Sequence, residues 1–119
     1  MKKISLLFLV FVCCYACSHK TTPVSTAPSS PKTDATAMYE STVKPILEAK
    51  CSPCHFPAQG GNKAALDNYT AASNNITELL SRVQLKPEER GYMPFRGKKE
   101  AVTAAEIASL KAWKAALGK

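Results

Sequence analysis

The chain has 119 residues, of which 45% are hydrophobic and 21% are charged, and its formal net charge is +7. This length suits one small domain, and the composition excludes a wholly disordered chain, a collagen and a protein with many membrane spans. Residues 1–37 carry four Lys and one Asp, and residues 38–119 carry 12 basic and 8 acidic residues. The positive charge is therefore not concentrated in the way that would indicate a nucleic-acid binder.

The first residues have the pattern of a bacterial secretory signal. Lys2 and Lys3 precede a short apolar run over residues 4–12. That run is well below the roughly 20 apolar residues that a transmembrane helix needs. We therefore predict a signal peptide over residues 1–16 and a protein exported to the periplasmic side of a bacterial membrane.

The predicted cleavage site places a cysteine at the start of the mature chain. Cys17 follows Ala16 in an arrangement that resembles a lipobox, although Cys14 stands where lipoproteins usually have Leu. We predict a lipid on Cys17, because an exposed free thiol is a liability in an oxidising compartment. Ordinary cleavage after Ala16 is the alternative and would give a soluble periplasmic protein. The rest of residues 17–37 is rich in Ser, Thr and Pro and predicts a flexible linker.

Residues 38–119 predict an all-α domain. The first helical pattern covers about residues 39–50 and contains Pro45, so the helix either starts near Val43 or is kinked at the proline. No segment alternates convincingly as a strand. Three short helices give a small core for this length, which indicates that something besides the core, such as a bound cofactor or a cross-link, stabilises the domain.

Two more helical patterns follow. The second covers about residues 76–83, with Asn75 as its predicted cap. The third covers residues 104–117, and Thr103 with Glu106 matches a capping box at its start. The apolar stripe of this last helix consists of Ile107, Leu110, Trp113 and Leu117.

A C-x-x-C-H motif directly follows the first predicted helix. It consists of Cys51, Ser52, Pro53, Cys54 and His55. This is the attachment motif for haem c, because two thiols at that spacing can bond to the two vinyl groups of one porphyrin. The adjacent His55 can then bind the iron from one face. We therefore predict one covalent haem on Cys51 and Cys54.

Three other roles for this motif are less consistent with its context. A thioredoxin-like C-x-x-C would follow a strand within a βαβ pattern. A structural zinc site needs about four ligands, and residues 38–119 contain no Cys or His outside the motif. A disulfide between Cys51 and Cys54 would close a very small loop and add little stability.

The iron needs a sixth ligand as well as His55. Met38 and Met93 are the only thioethers in residues 38–119. Met93 precedes Pro94, which stiffens the loop that would hold the thioether. A methionine that only fills an apolar gap is the alternative interpretation. In a domain with a C-x-x-C-H motif, we predict that Met93 is the second axial ligand.

On these features, residues 39–119 resemble a single-haem class I c-type cytochrome. The resemblance rests on the segment 43–47 that leads into the C-x-x-C-H motif, on the motif itself, on the Met93–Pro94 pair and on the final helical pattern. It implies a small cytochrome c-like fold of three to four helices around one covalent haem, with the first and last helices crossing nearby. The residues implied at that crossing are Val43, Ile46, Leu47, Leu110 and Trp113.

The expected function is one-electron transfer by a haem c with His/Met ligation, in a carrier rather than an enzyme. The expected partners are redox proteins, and a Cys17 lipid would attach the domain to the membrane. A sensor or small-ligand binder, with five-coordinate iron or a displaceable Met93, is one alternative. A haem subunit of a larger oxidoreductase is the other. The side chains expected to wall the haem are Leu79, Val83, Leu110 and Trp113.

Overall fold

A computed structural model of the chain describes residues 31–119, with side chains from Asp34 onward. Within this part every regular element is helical and no strand is formed, which confirms the prediction of an all-α fold. The predicted signal peptide, the Cys17 lipidation site and the first part of the linker lie outside the described residues. None of the helices that the structure describes is long and apolar enough to cross a membrane.

The first helical segment passes through Pro45 without ending. It consists of α1 (Pro31–Met38), a π-helical turn (Tyr39–Val43) and α2 (Lys44–Cys51). In the π turn, the backbone N–H of Lys44 donates to the carbonyl of Tyr39, five residues earlier. In a regular α-helix the ring of Pro45 would clash with the carbonyl four residues before it. The wider turn directly before the proline accommodates the ring, so the helical segment continues through it. Its second α-helical part, α2, begins at Lys44 with Pro45 in the first turn, close to the predicted start near Val43.

The folded region begins earlier than predicted, because residues 31–37, assigned to the linker, form most of α1. Ala35 in this helix is buried, and the indole N–H of Trp113 donates to its carbonyl at 2.9 Å. A short polar segment has little helical stability alone, and tertiary packing supplies most of it. The contact with Trp113 therefore holds residues 31–37 against the folded domain. The predicted domain boundary at residue 38 is too late in the sequence.

The second predicted helix is longer than its apolar stripe suggested. α3 spans Tyr69–Val83, and its N-cap is Asn68, whose side chain accepts the backbone N–H three residues later at 2.9 Å. The predicted cap, Asn75, lies inside the helix, so the predicted start is wrong. The first turns bury small side chains such as Ala72, which give no large apolar stripe to detect in the sequence.

The last helix agrees with its prediction. α4 spans Ala104–Ala116. The hydroxyl of Thr103 accepts the N–H of Glu106 at 3.2 Å, and the Glu106 carboxylate accepts the N–H of Thr103 at 2.7 Å, which confirms the capping box. Gly118 follows with a φ of +71°, the left-handed conformation that commonly ends a helix.

Three aromatic rings join the first helical segment, α3 and α4. The ring centroids of Tyr39, Tyr69 and Trp113 lie between 5.4 and 5.8 Å apart, and Tyr69 meets the other two edge to face. Tyr39 and Trp113 are almost fully buried. Burial of this kind, together with favourable aromatic geometry, makes the cluster a main source of packing energy. It lies where the first and last helices contact each other.

We expect Trp113→Phe to lower the free energy of unfolding by about 1–3 kcal/mol, because it removes the hydrogen bond to Ala35 and leaves a cavity. Urea denaturation of the purified protein measures this loss. The control is Lys111→Ala, since Lys111 is exposed on the same helix and should change stability by less than about 0.5 kcal/mol. Equal stabilities for the two variants would contradict a role of the indole in holding α1 on α4.

Candidate functional site

The C-x-x-C-H motif forms a compact turn at the end of α2. Cys51 is the last residue of that helix, and its carbonyl accepts the N–H of His55 at 3.1 Å. The carbonyl of Pro53 accepts the N–H of Phe56 at 2.9 Å, which closes the turn. Phe56 is buried and fixes the turn to the core, while Cys54 is exposed. The two thiols and the imidazole therefore project from one short, hydrogen-bonded segment.

The loop over residues 57–66 folds back against this turn. Lys63 donates its N–H to the carbonyl of Cys54 at 3.1 Å, and Leu66 donates to the carbonyl of His55 at 2.9 Å. Gly61 lies so close to the turn that a Cβ there would be 2.6 Å from the carbonyl oxygen of Cys54. Only glycine fits this approach, so Gly61 shapes the site although it contributes no side chain.

The same loop orients the imidazole. The Nδ1–H of His55 donates to the carbonyl oxygen of Ala64 at 2.7 Å. Because a carbonyl only accepts, this bond places the proton on Nδ1 and leaves the Nε2 lone pair for a metal. A backbone carbonyl on the second nitrogen is a common way to orient a ligating histidine. Neither Ala64 nor Gly61 stands out in the sequence by periodicity or by a motif that would indicate these roles.

A cleft of about 570 Å³ opens beside the motif, within the range typical of cofactor pockets. A second cavity of about 300 Å³ adjoins it and shares part of its lining. Most of the surface of both is apolar. The residues that line both cavities are Cys51, His55, Lys63, Val83 and Met93. Cys54 lines the larger one, so the cleft brings together all four residues predicted to hold the haem.

The two methionines occupy different places. Met93 lies on the cleft wall, although it is 38 residues from His55 in the sequence. Met38, at the end of α1, packs against the hydrophobic core and lines neither cavity. The cleft therefore offers the thioether of Met93, and not that of Met38, to a ligand beside His55.

The predicted walls are correct in part. Leu79 lines the smaller cavity and Val83 lines both. Leu110 and Trp113 line neither, and their placement at the cleft is wrong. Both are almost fully buried, and Trp113 belongs to the aromatic cluster. The apolar stripe of α4 faces the other helices. There the indole of Trp113 is buried by packing, and its N–H donates to the carbonyl of Ala35.

An ion-pair network joins the motif helix to α4. The ammonium of Lys50 lies 3.4 Å from Glu100 and 3.9 Å from Glu106, and the lysine side chain is only 10% exposed. Glu106 also belongs to the capping box of α4. Lys50 precedes Cys51 and lines the larger cavity, so this network ties the base of the cleft to the start of α4.

The structure also describes the thiols and the surroundings of the motif. Cys51 and Cys54 are not joined in a disulfide. Burial raises the pKa of the Cys51 thiol to about 11, whereas reactive C-x-x-C thiols have lowered pKa values. No strand precedes the motif within residues 31–119, and no group of three or more His, Cys, Asp or Glu side chains there is arranged to hold a metal ion.

Comparison with protein-family models, with curated proteins and with solved structures found no match to this chain. The resemblance to c-type cytochromes therefore rests on the sequence features alone, which are the C-x-x-C-H motif, the Met93–Pro94 pair and the final helical pattern.

We expect Gly61→Ala to loosen the loop behind the motif, because its Cβ would collide with the Cys54 carbonyl. Overpacking of this kind costs about 1–3 kcal/mol. The amide hydrogens of Lys63 and Leu66 should then exchange about tenfold faster, as measured by NMR. Gly60→Ala is the control. Its φ of +82° makes alanine strained, but its Cβ would meet no atom within 4 Å, so exchange at these two amides should change little. Identical exchange in both variants would contradict a role for the close approach of Gly61.

Proposed function

We propose that this protein is a one-electron carrier that holds one haem c in the cleft, within a small cytochrome c-like fold. Cys51 and Cys54 would bind the haem covalently, and His55 and Met93 would be its axial ligands. The observation that carries the proposal is the convergence of these four side chains on one apolar cleft. Three of them are adjacent in the sequence, but Met93 reaches the cleft only through the fold.

The residues of the motif fit this cofactor. Each thiol would form a thioether by adding its S–H across one vinyl group of the porphyrin, so that no oxidant is needed. The bond from His55 to Ala64 holds the imidazole with Nδ1 occupied, so Nε2 is the nitrogen that would bind iron. The apolar cleft is suited to a porphyrin, which is a large, flat and mostly apolar group.

The remaining residues would set the redox properties. When bound, the haem supplies an iron that cycles between the ferric and ferrous states. Met93 is a soft thioether ligand, and a Met/His pair raises the reduction potential. Leu79 and Val83 would exclude water from the cleft, which favours the less charged ferrous state. Because His55 and Met93 would both bind the iron, no position on it would be left for a substrate, and the site would support electron transfer rather than substrate chemistry.

The experiment that tests this function is the mass and visible spectrum of the mature protein, produced together with the machinery that attaches haem c. We expect one haem per chain that remains attached after denaturation. We also expect six-coordinate spectra in both redox states and slow binding of carbon monoxide to the reduced form. A mature chain without covalent haem would overturn the proposal.

We also propose that Cys17 carries a lipid that holds the domain at the periplasmic side of a membrane. Replacement of Cys17 by Ser should release the protein from the membrane fraction into the soluble periplasmic fraction. Covalent haem should be unaffected, because the motif lies in the folded domain. Ser18→Ala is the control and should stay with the membrane. If wild-type protein is already soluble, cleavage after Ala16 without lipidation is the correct reading.

A further inference from the structure

We propose that Arg82 is a positioning residue that holds Met93 in place at the cleft. The inference rests on the proposed function, in which Met93 is an iron ligand. Three contacts carry it: a backbone hydrogen bond to Met93, a side-chain contact with the glycine two residues before it, and an ion pair that orients the guanidinium. Arg82 and Met93 also line the same cavity together with His55.

The first contact uses a carbonyl that the helix leaves available. Arg82 is the penultimate residue of α3, where the last carbonyls have no intrahelical donor. The N–H of Lys86, which would continue the helical pattern, donates to the Glu89 side chain instead. The carbonyl of Arg82 accepts the N–H of Met93 at 3.3 Å. The end of α3 is thus directly bonded to the residue proposed as ligand.

The second contact is made by the side chain. The guanidinium of Arg82 lies over Gly91, so close that a Cβ on Gly91 would be 3.3 Å from Cζ and nearer still to Nη1. Gly91 has a φ of +99°, a conformation that other residues rarely adopt. This positive φ is what favours glycine at this position, because the guanidinium is the end of a flexible side chain and could move aside. The arginine therefore covers the backbone that leads directly into Met93.

The third contact fixes the arginine. The Nε–H of Arg82 donates to the carboxylate of Glu78 at 2.6 Å, one turn earlier on α3. Glu78 also accepts from the hydroxyl of Ser81 at 3.3 Å, which restrains the carboxylate. Both partners of the ion pair are about half exposed, so its contribution is that of a surface pair. Its role is to direct the guanidinium towards Gly91 rather than into solvent.

This arrangement matters because a long connection joins α3 to α4. Met93 lies in that connection, between the ends at Val83 and Ala104, and no α-helix or strand supports it there. An unsupported loop samples many conformations, and its stability is at the low end of the molecule. The two contacts from Arg82 restrict this freedom at the residues next to the thioether.

The test compares variants of the haem-loaded protein. Arg82→Gln should weaken the near-infrared band of sulfur–iron bonding and should speed carbon monoxide binding to the reduced form about twofold to fivefold. This corresponds to the contribution of an exposed ion pair. Hydrogen exchange at the Met93 amide should become faster by a similar factor. Arg82→Lys keeps the charge but loses the Nε–H, and it should show the same changes.

Two further variants separate the effect of the Arg82 side chain on Met93 from other effects. Lys111→Gln removes one positive charge from an exposed position on α4 and should leave all three measurements unchanged. Glu78→Ala removes the oxygen that accepts the Arg82 Nε–H, frees the guanidinium without changing the loop, and should speed both carbon monoxide binding and Met93 amide exchange. Unchanged measurements in Arg82→Gln and Glu78→Ala, with a normal band in the wild type, would overturn the role of Arg82 alone. A wild-type protein without the band would instead overturn the ligation of Met93.

Discussion

The double variant Cys51→Ala/Cys54→Ala should contain no covalently bound haem, against one haem per chain in the wild type. Both thiols lie on the turn at the end of α2, and both line the cleft. No other cysteine is present in residues 38–119 to replace them. Mass spectrometry of the denatured protein measures the result directly. Haem that stays attached to the denatured double variant would contradict the proposed site.

The control for this variant is Ser52→Ala, which changes the same turn without removing a thiol. Its hydroxyl donates to the side chain of Gln59 at 2.7 Å, an exposed contact whose loss should have a small effect. We therefore expect full haem attachment in Ser52→Ala. A loss of haem in this control as well would mean that attachment depends on the shape of the turn and not on the two thiols.

The double variant also measures how far the fold depends on the cofactor. The cleft borders residues of the core such as Leu79 and Val83, so an empty cleft exposes apolar surface. For a domain this small, we expect the haem-free chain to be mostly unfolded. Circular dichroism during heating would show this as a weak and broad transition. A cooperative transition equal to that of the haem-loaded protein would show that the helices alone suffice.

Local signals in the sequence were sufficient where the structure depends on neighbouring residues. The capping box of Thr103 and Glu106 fixed the start of α4, because both hydrogen bonds join residues three apart. The C-x-x-C-H motif is equally local, because its five contiguous residues necessarily lie close together in one turn. These parts could be predicted because the residues that contact each other there are also close together in the sequence.

Tertiary contacts decided the parts that the sequence did not show. The helix over residues 31–37 depends on the indole of Trp113, which lies at the other end of the chain. The orientation of His55 depends on the carbonyl of Ala64, and every residue type has such a carbonyl. Backbone groups carry no residue-type signal, so such contacts become visible only in the folded chain.

The choice between the two methionines combines both kinds of information. In the sequence, Met93 stands out only by its neighbour Pro94 and by the need for a sixth ligand. In the structure, both methionines pack against the core, but only Met93 also lines the cleft that contains His55. Ligation itself stays a prediction, and its test requires an iron-sensitive measurement on both residues.

Met93→Ala should open the sixth position of the iron while the haem stays attached, since the motif residues are unchanged. The oxidised variant should lose the near-infrared band of sulfur–iron bonding. Its reduction potential should fall by on the order of 0.1 V or more, within the roughly 0.8 V range that axial ligands set, because water or a lysine favours ferric iron more than a thioether does. Lys63, Lys98 and Lys99 line the same cleft and, unlike the ion-paired Lys50, are candidates for such a replacement.

Carbon monoxide binding to the reduced protein gives the second measurement. It should be slow in the wild type, where Met93 occupies the position, and fast in Met93→Ala. Met38→Ala is the matched control, since it removes the other thioether of the domain from a site outside both cavities and should leave the spectrum unchanged. Loss of the band in Met38→Ala but not in Met93→Ala would reverse the ligand assignment and preserve the electron carrier. If neither change alters the spectrum and the wild type already binds carbon monoxide quickly, the cleft holds a haem with an open position, as a sensor of small ligands requires.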